Sequence, residues 1–161
     1  MAGQISISRR GFLASTMAGG LCLGLRIPVP GAAMAQEGAP TEVNAWVVIH
    51  PDDTVVIRVA RVEMGQGTLT GLAQLVAEEL DADWEKVRTE YPTPGESVAR
   101  NRVWGPFGTY GSQGIRASQQ YMREGGAAAR AILLRAAADR WGVEPETLTV
   151  SRGVISGPDG Q

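Results

Sequence analysis

The sequence predicts an α+β fold, a mixed α/β layer with the element order ββαβαββ, and three observations predict it. Two short runs rich in valine and isoleucine, 44–49 and 54–60, flank Pro51-Asp52-Asp53, the pattern of a β-hairpin. Leu69, Leu72, Ala73, Val76 and Leu80 recur at the spacing of one helix face. Residues 113–141 hold Ala127-Ala128-Ala129 and Ala136-Ala137-Ala138, the composition of a long helix.

The first thirty-five residues stand outside that fold as an address. Ser8-Arg9-Arg10-Gly11-Phe12-Leu13 is a twin-arginine pattern, and Phe12 to Leu25 is uncharged and only mildly apolar. The run is shorter than the roughly 20 apolar residues that span a bilayer. Ala33-Met34-Ala35 supplies a small-x-small cleavage site. A twin-arginine signal is a bacterial export signal, so the expected location is the periplasm, peripheral to the inner membrane, with the export machinery as one partner. Cys22 is the only cysteine and lies inside this signal; Leu21 before it does not suit a lipoprotein site. The mature chain therefore has no thiolate to hold an iron–sulfur cluster.

Residues 36–43 read as a polar linker and 44–161 as one small domain. Removing 1–35 takes away Arg9, Arg10 and Arg26 and no acid, which moves the formal charge from −2 to −5. An acidic chain lacks the basic stripe that nucleic acid requires. After the hairpin come a loop at 61–68, a helix at 69–80 with Thr68 as its N-cap, and a short strand at 87–91. Residues 92–111 read as one long loop, and loops of that length are commonly functional. A helix at 113–141 follows, ended by Gly142. Gly125 and Gly126 sit inside it at a cost of about 1 kcal/mol each relative to alanine, so close packing against another element is expected there. Leu148 to Val150 begins a last hairpin. Val154 to Gln161 reads as a strand and a turn whose next strand is missing, so the sequence is expected to be cut off.

Two stretches carry candidate chemistry. Val62-Glu63-Met64-Gly65-Gln66-Gly67-Thr68-Leu69-Thr70 joins a strand to a helix, with two glycines just before the helix start. Glycine lets backbone approach a ligand, and the N–H groups of a first helical turn suit an anion; Thr68, Thr70 and Gln66 add side-chain hydrogen-bonding groups. Equally, a glycine-rich turn can simply turn. The second stretch, Phe107-Gly108-Thr109-Tyr110-Gly111-Ser112-Gln113-Gly114, also precedes a helix and is either a second ligand loop or a connector. His50 is the only histidine and reads as a turn residue, which leaves no multi-histidine metal site. Glu78, Glu79, Asp81, Asp83 and Glu85 read as a solvated helix end. The four tryptophans read as packing residues, Trp104 alone having a second reading as a ring that faces a ligand.

Residues 45–87, centred on Glu63-Met64-Gly65-Gln66-Gly67-Thr68-Leu69-Thr70 and followed by Gln74 and Ala77, resemble a cofactor-binding segment of the xanthine-dehydrogenase and aldehyde-oxidase family of molybdenum hydroxylases. Gly111-Ser112-Gln113-Gly114-Ile115-Arg116, running into Ala127-Ala128-Ala129-Arg130, resembles that family's second pterin-contacting loop and helix. A twin-arginine signal directly before the Met-Gly-Gln-Gly block is similar to the beta subunits of the isoquinoline 1-oxidoreductase branch. The resemblance implies molybdopterin carrying molybdenum, in the cytosine dinucleotide form, for hydroxylating N-heterocycles or oxidising aldehydes. It implies [2Fe–2S] clusters on a separate small subunit; a second implied partner is the remainder of the large subunit. Gly65, Gln66, Gly67, Thr68, Thr70, Gly111 and Ser112 are the implied cofactor contacts. Gln113 and Gly114 depart from the hydroxyl residues usual after Ser112, which weakens that contact. The family's glutamate base has no counterpart in these residues, so Glu63 is not given its role; no catalytic and no metal-ligating residue is expected. Alone, the chain is expected to bind the dinucleotide weakly or not at all and to turn over no substrate. A rival reading from another class is a small exported binding or assembly module that keeps the fold without catalysis; a complete, paired C-terminal hairpin would favour it.

Overall fold

The structure, a computed structural model, describes residues 39–158. The export signal read at 1–35 lies outside the described residues. A four-stranded sheet holds β1 (Thr41–Glu42), β2 (Val47–Ile49), β3 (Val55–Arg58) and β4 (Val87–Glu90) in that order. β2 pairs antiparallel with β1 on one side and β3 on the other, and β4 lies parallel to β3, with Val55 opposite Val87 and Arg58 opposite Glu90. A parallel pair needs a crossover connection; α1 (Thr68–Leu80) supplies it.

The core lies where α1 meets the sheet and α4 (Gln119–Trp141). Val47, Val55, Ile57, Val59 and Val87 contribute from the sheet, Leu72, Ala73, Val76 and Leu80 from α1, and Met122 and Ala129 from α4. Gly125 and Gly126 do mark a close approach, as expected. A Cβ on Gly125 would stand 2.7 Å from the Trp46 ring, and one on Gly126 would stand 2.6 Å from the Val76 carbonyl. Asn44 locks the seam by donating from Nδ2 to the Gly125 carbonyl at 2.8 Å. Gly142 ends α4 in the left-handed region, also as expected.

Several details differ from the sequence reading. A strand, β1, lies within the stretch read as linker. The long loop contains α2 (Pro94–Ala99), started by Thr93, whose hydroxyl accepts from the Glu96 amide, and by Pro94 in the first turn. The single helix read over 113–141 is two helices. α3 (Gln113–Arg116) stops before a break at Ala117 and Ser118, where Ser118 is fully buried. The last hairpin, read as beginning at Leu148 to Val150, closes within the described residues, where the strand at Val154–Ser156 folds back as β6 onto β5 (Thr149–Ser151). Arg152 and Gly153, with φ of 49° and 77°, form the two-residue turn that a right-twisted hairpin favours.

Trp104 faces no ligand. It is 1 % exposed, donates from Nε1 to the Ala45 carbonyl at 2.7 Å, and has the Arg58 and Arg100 guanidiniums over its ring. Arg58 also binds Glu42 and Glu90, and Arg100 binds Glu42, tying the sheet edge to α2. Burial opposes ionisation of Glu42, but Arg100 and Arg58 hold its carboxyl below the usual carboxylate range. The acids at the end of α1 are engaged too. Glu78 and Glu79 pair with Arg123, and Asp83 with Arg152. Among the described residues no group of acids, histidines or cysteines is arranged to hold a metal ion.

Candidate functional site

Past β3 the chain keeps one more contact with the sheet, the Val59 amide donating to the Glu90 carbonyl at 2.9 Å. Side chains of a strand alternate between faces, so Val55 and Ile57 point into the core; beyond the strand Val59, Ala60 and Arg61 are all buried. Arg61 is 2 % exposed. Its Nε donates to the Ser118 hydroxyl at 2.8 Å, and its Nη1 donates to the Gly108 carbonyl. No carboxylate of the described residues forms an ion pair with it. A buried cation without a counter-charge is expensive unless hydrogen bonds hold it; here they hold it between the two glycine loops.

Other contacts draw the loops together. The Thr109 hydroxyl donates to the Val62 carbonyl at 3.2 Å. Gly114, at the start of α3, packs so tightly on Thr68 that a Cβ there would stand 2.6 Å from the Thr68 hydroxyl. The two loops that sequence alone left as ligand loops or connectors therefore form one surface.

The first loop is organised from within. The Glu63 carboxylate accepts from the Gly65 amide at 2.7 Å and the Gly67 amide at 2.9 Å through Oε1, and from the Leu69 amide at 2.9 Å through Oε2. The Leu69 and Gly67 amides, chiefly, hold its carboxyl below the usual value, because they stabilise the charged form. The Glu63 amide in turn donates to the Tyr91 hydroxyl at 3.2 Å. Gln66 folds back, donating to the Val62 carbonyl at 2.9 Å and accepting from the Met64 amide at 2.5 Å. Gly65 and Gly67 have φ of 93° and 76°, a region L side chains rarely adopt.

Thr68 is not the N-cap that the sequence suggested. Gly67 holds that place in the left-handed region, and Glu63 reaches over to serve Leu69. Thr68 is 2 % exposed against Gly114, whereas Thr70 is exposed. Residues two apart on a helix do not share a face, so the two threonines do not converge. In the second loop Gly111 and Ser112 are exposed, both left-handed, with φ of 65° and 56°. The Ser112 hydroxyl caps nothing in α3. Neither the Gly111 nor the Ser112 amide has a hydrogen-bond acceptor among the described residues. A non-glycine residue held left-handed with its polar groups free is the kind of strain found at binding sites.

Arg61, Tyr91 and Ser118 are parts of the site that motif reading passed over, while Glu63 and Thr109 lay inside the two stretches without the contacts they make here. Arg61, Tyr91, Thr109 and Ser118 join the site through tertiary contact, whereas Glu63 bonds locally to the Gly65, Gly67 and Leu69 amides. A recess of about 330 Å³ lies elsewhere, under the β5–β6 hairpin, lined by Ile49, Val55, Leu80, Leu133 and Ile155 and touched by none of the loop residues.

The model of a family described as a molybdopterin cofactor-binding domain matches residues 9–160. The chain is 38 % identical over 159 residues to the beta subunit of isoquinoline 1-oxidoreductase from Brevundimonas diminuta, covering 94 % of this chain and 20 % of that protein. It is 32 % identical over 160 residues to a membrane-bound aldehyde dehydrogenase (pyrroloquinoline-quinone) of Gluconacetobacter polyoxogenes, covering 95 % and 20 %. It is 31 % identical over 157 residues to the B subunit of nicotinate dehydrogenase from Pseudomonas putida, covering 95 % and 13 %. The chain thus spans a fifth or less of the length of these relatives.

Proposed function

The chain belongs to the molybdopterin cofactor-binding domain family, and from that membership we propose that it is the front portion of a periplasmic molybdenum hydroxylase large subunit. The observation that carries the reading is the convergence of two glycine loops on one surface, with the uncompensated Arg61 cation beneath the seam. A positive charge near the free donors of the second loop suits a phosphate-bearing ligand.

The residues fit molybdopterin unevenly. Gly111 and Ser112 offer free amides and a free hydroxyl, and Thr70 offers an exposed hydroxyl, so these would hold the cofactor's polar groups. Gly65, Gln66 and Gly67 have their donors engaged within the loop and would contribute its shape. When bound, molybdopterin supplies the molybdenum at which substrate is oxidised; the chain's part is to bind and orient it. The cytosine dinucleotide form, [2Fe–2S] clusters on a separate partner subunit, and N-heterocycles or aldehydes as substrates complete the proposal. The relatives' names, two of them designating subunits of an oxidoreductase or dehydrogenase, support it. Residues 1–35 direct the folded product to the periplasm by the twin-arginine route.

A second reading, the small exported binding or assembly module, is favoured by one observation: the C-terminal hairpin is closed and paired. The native product decides between them. We would capture it from the source organism's periplasm with an antibody against residues 39–158, then measure its size and its molybdenum. A band several times larger than this chain, with molybdenum in proportion, is expected. A stable band at the size of residues 36–161 and free of molybdenum would replace the enzyme portion by the module. Changing Arg9 and Arg10 to lysine is expected to abolish periplasmic accumulation.

A further inference from the structure

We propose that Glu63 is the resident anion of the first glycine loop, a positioning residue that closes the Gly65, Gly67 and Leu69 amides to an incoming anionic group and leaves that group to the second loop. Three backbone amides from five residues of chain converge on one carboxylate, at 2.7 to 2.9 Å. That is the arrangement by which a helix start and a glycine loop hold a phosphate oxygen, here filled by a side chain of the same loop. The positive φ of Gly65 and Gly67 turns their two amides onto Oε1. Glu63 is itself held at the backbone by the Tyr91 hydroxyl. Gln66 closes the other side of the loop through Val62 and Met64.

The charge distribution then separates the two loops. A carboxylate at the first repels any phosphate or carboxylate that would share its donors, whereas at the second a guanidinium lies beneath the Gly108 carbonyl and no acid bonds to the Gly111 or Ser112 amide among the described residues. Like charges brought to one donor set disfavour each other, and opposite charges attract. The role of Glu63 within the loop stands without the cofactor reading; the exclusion of the cofactor's anionic groups rests on that reading.

The test uses the full chain and backbone amide chemical shifts. In Glu63→Ala the Gly65, Gly67 and Leu69 amides should shift. Added acetate should return them saturably toward their wild-type positions, and chloride at equal ionic strength should not. Wild-type shifts in the variant, or acetate acting no better than chloride, would overturn the proposal. If the variant does not fold, acid titration of the wild type decides: the three amides should move together, with one midpoint below the ordinary glutamate value of 4.5. Separate midpoints, or no movement, would overturn it. Inorganic pyrophosphate added to the wild type should leave the three amides unmoved. If it moves them, Glu63 yields its seat and the proposal fails while the cofactor reading stands. If pyrophosphate moves no amide anywhere but acetate rescues the variant, the role of Glu63 within the first loop stands and the assignment of the anionic group to the second loop fails.

Discussion

The loop at 61–67 and the loop at 107–112 have similar compositions, both rich in glycine and hydrogen-bonding side chains and both leading into a helix, yet their polar atoms go to different places. In the first, Glu63 and Gln66 take up the loop's own amides and carbonyls, and the loop is a finished piece of structure. In the second, the tether comes from outside, through Arg61, and Gly111 and Ser112 are left exposed with their donors free. Glycine is needed in both because left-handed backbone is needed. Its presence therefore does not say which loop meets a ligand; the state of the neighbouring donors does.

The largest expected effect comes from breaking the tether between the loops. Arg61→Met leaves the Ser118 hydroxyl and the Gly108 carbonyl without their donor. A buried hydroxyl and a part-buried carbonyl losing their donor should cost about 2 kcal/mol, partly offset by removing a buried charge. A lower urea midpoint at unchanged slope is the expected reading; a gain in stability would mean that the cost of burying the cation outweighs the tether.

Comparable in size is the seam itself. Gly114→Ala places a methyl group against the Thr68 hydroxyl and should cost about 2 kcal/mol by overpacking. Adding Thr68→Ala should recover most of that loss, since the two residues touch and their effects should not be additive. Additive losses in such a double-mutant cycle would show that the loops do not meet there.

A smaller effect concerns pH. The folded-state value of Glu63 is depressed, so its contribution is complete above the unfolded value and disappears as pH falls through the folded one. Stability of the wild type should therefore decline on acidification through the range below 4.5. Glu63→Gln, which cannot accept from Leu69 through its amide nitrogen, should show a weaker decline over the same range. Equal pH profiles would remove Glu63 from the account of the first loop. The smallest effect belongs to Thr70→Val, an exposed change within about 0.5 kcal/mol of neutral for stability. It sharpens the comparison by weakening nucleotide binding without touching either loop's backbone.

Much of the frame was legible because local patterns agreed with the tertiary result. The helical spacing from Leu69 to Leu80 and the alternation through Val55 and Ile57 describe faces that the structure buries. Gly125 and Gly126, costly in an isolated helix, correctly announced a close approach. The missed helix at Pro94–Ala99 had its signal in Thr93-Pro94-Gly95-Glu96, a capping sequence with proline at the start, which the reading placed within the long loop. The break at Ser118 had no local signal, because what holds Ser118 is a guanidinium 57 residues away in sequence. The site divides the same way. The motifs located the two loops, but the engagement of Gln66 and the inward turn of Thr68 depend on partners that spacing does not reveal.

The most direct test of the contrast between the loops is an amide-shift titration of the full chain with cytidine 5′-diphosphate. The account predicts weak, saturable shifts at Thr70, Gly111 and Ser112, with Gly65, Gly67 and Leu69 unmoved. Shifts centred on Gly65, Gly67 and Leu69, with Gly111 and Ser112 silent, would contradict it.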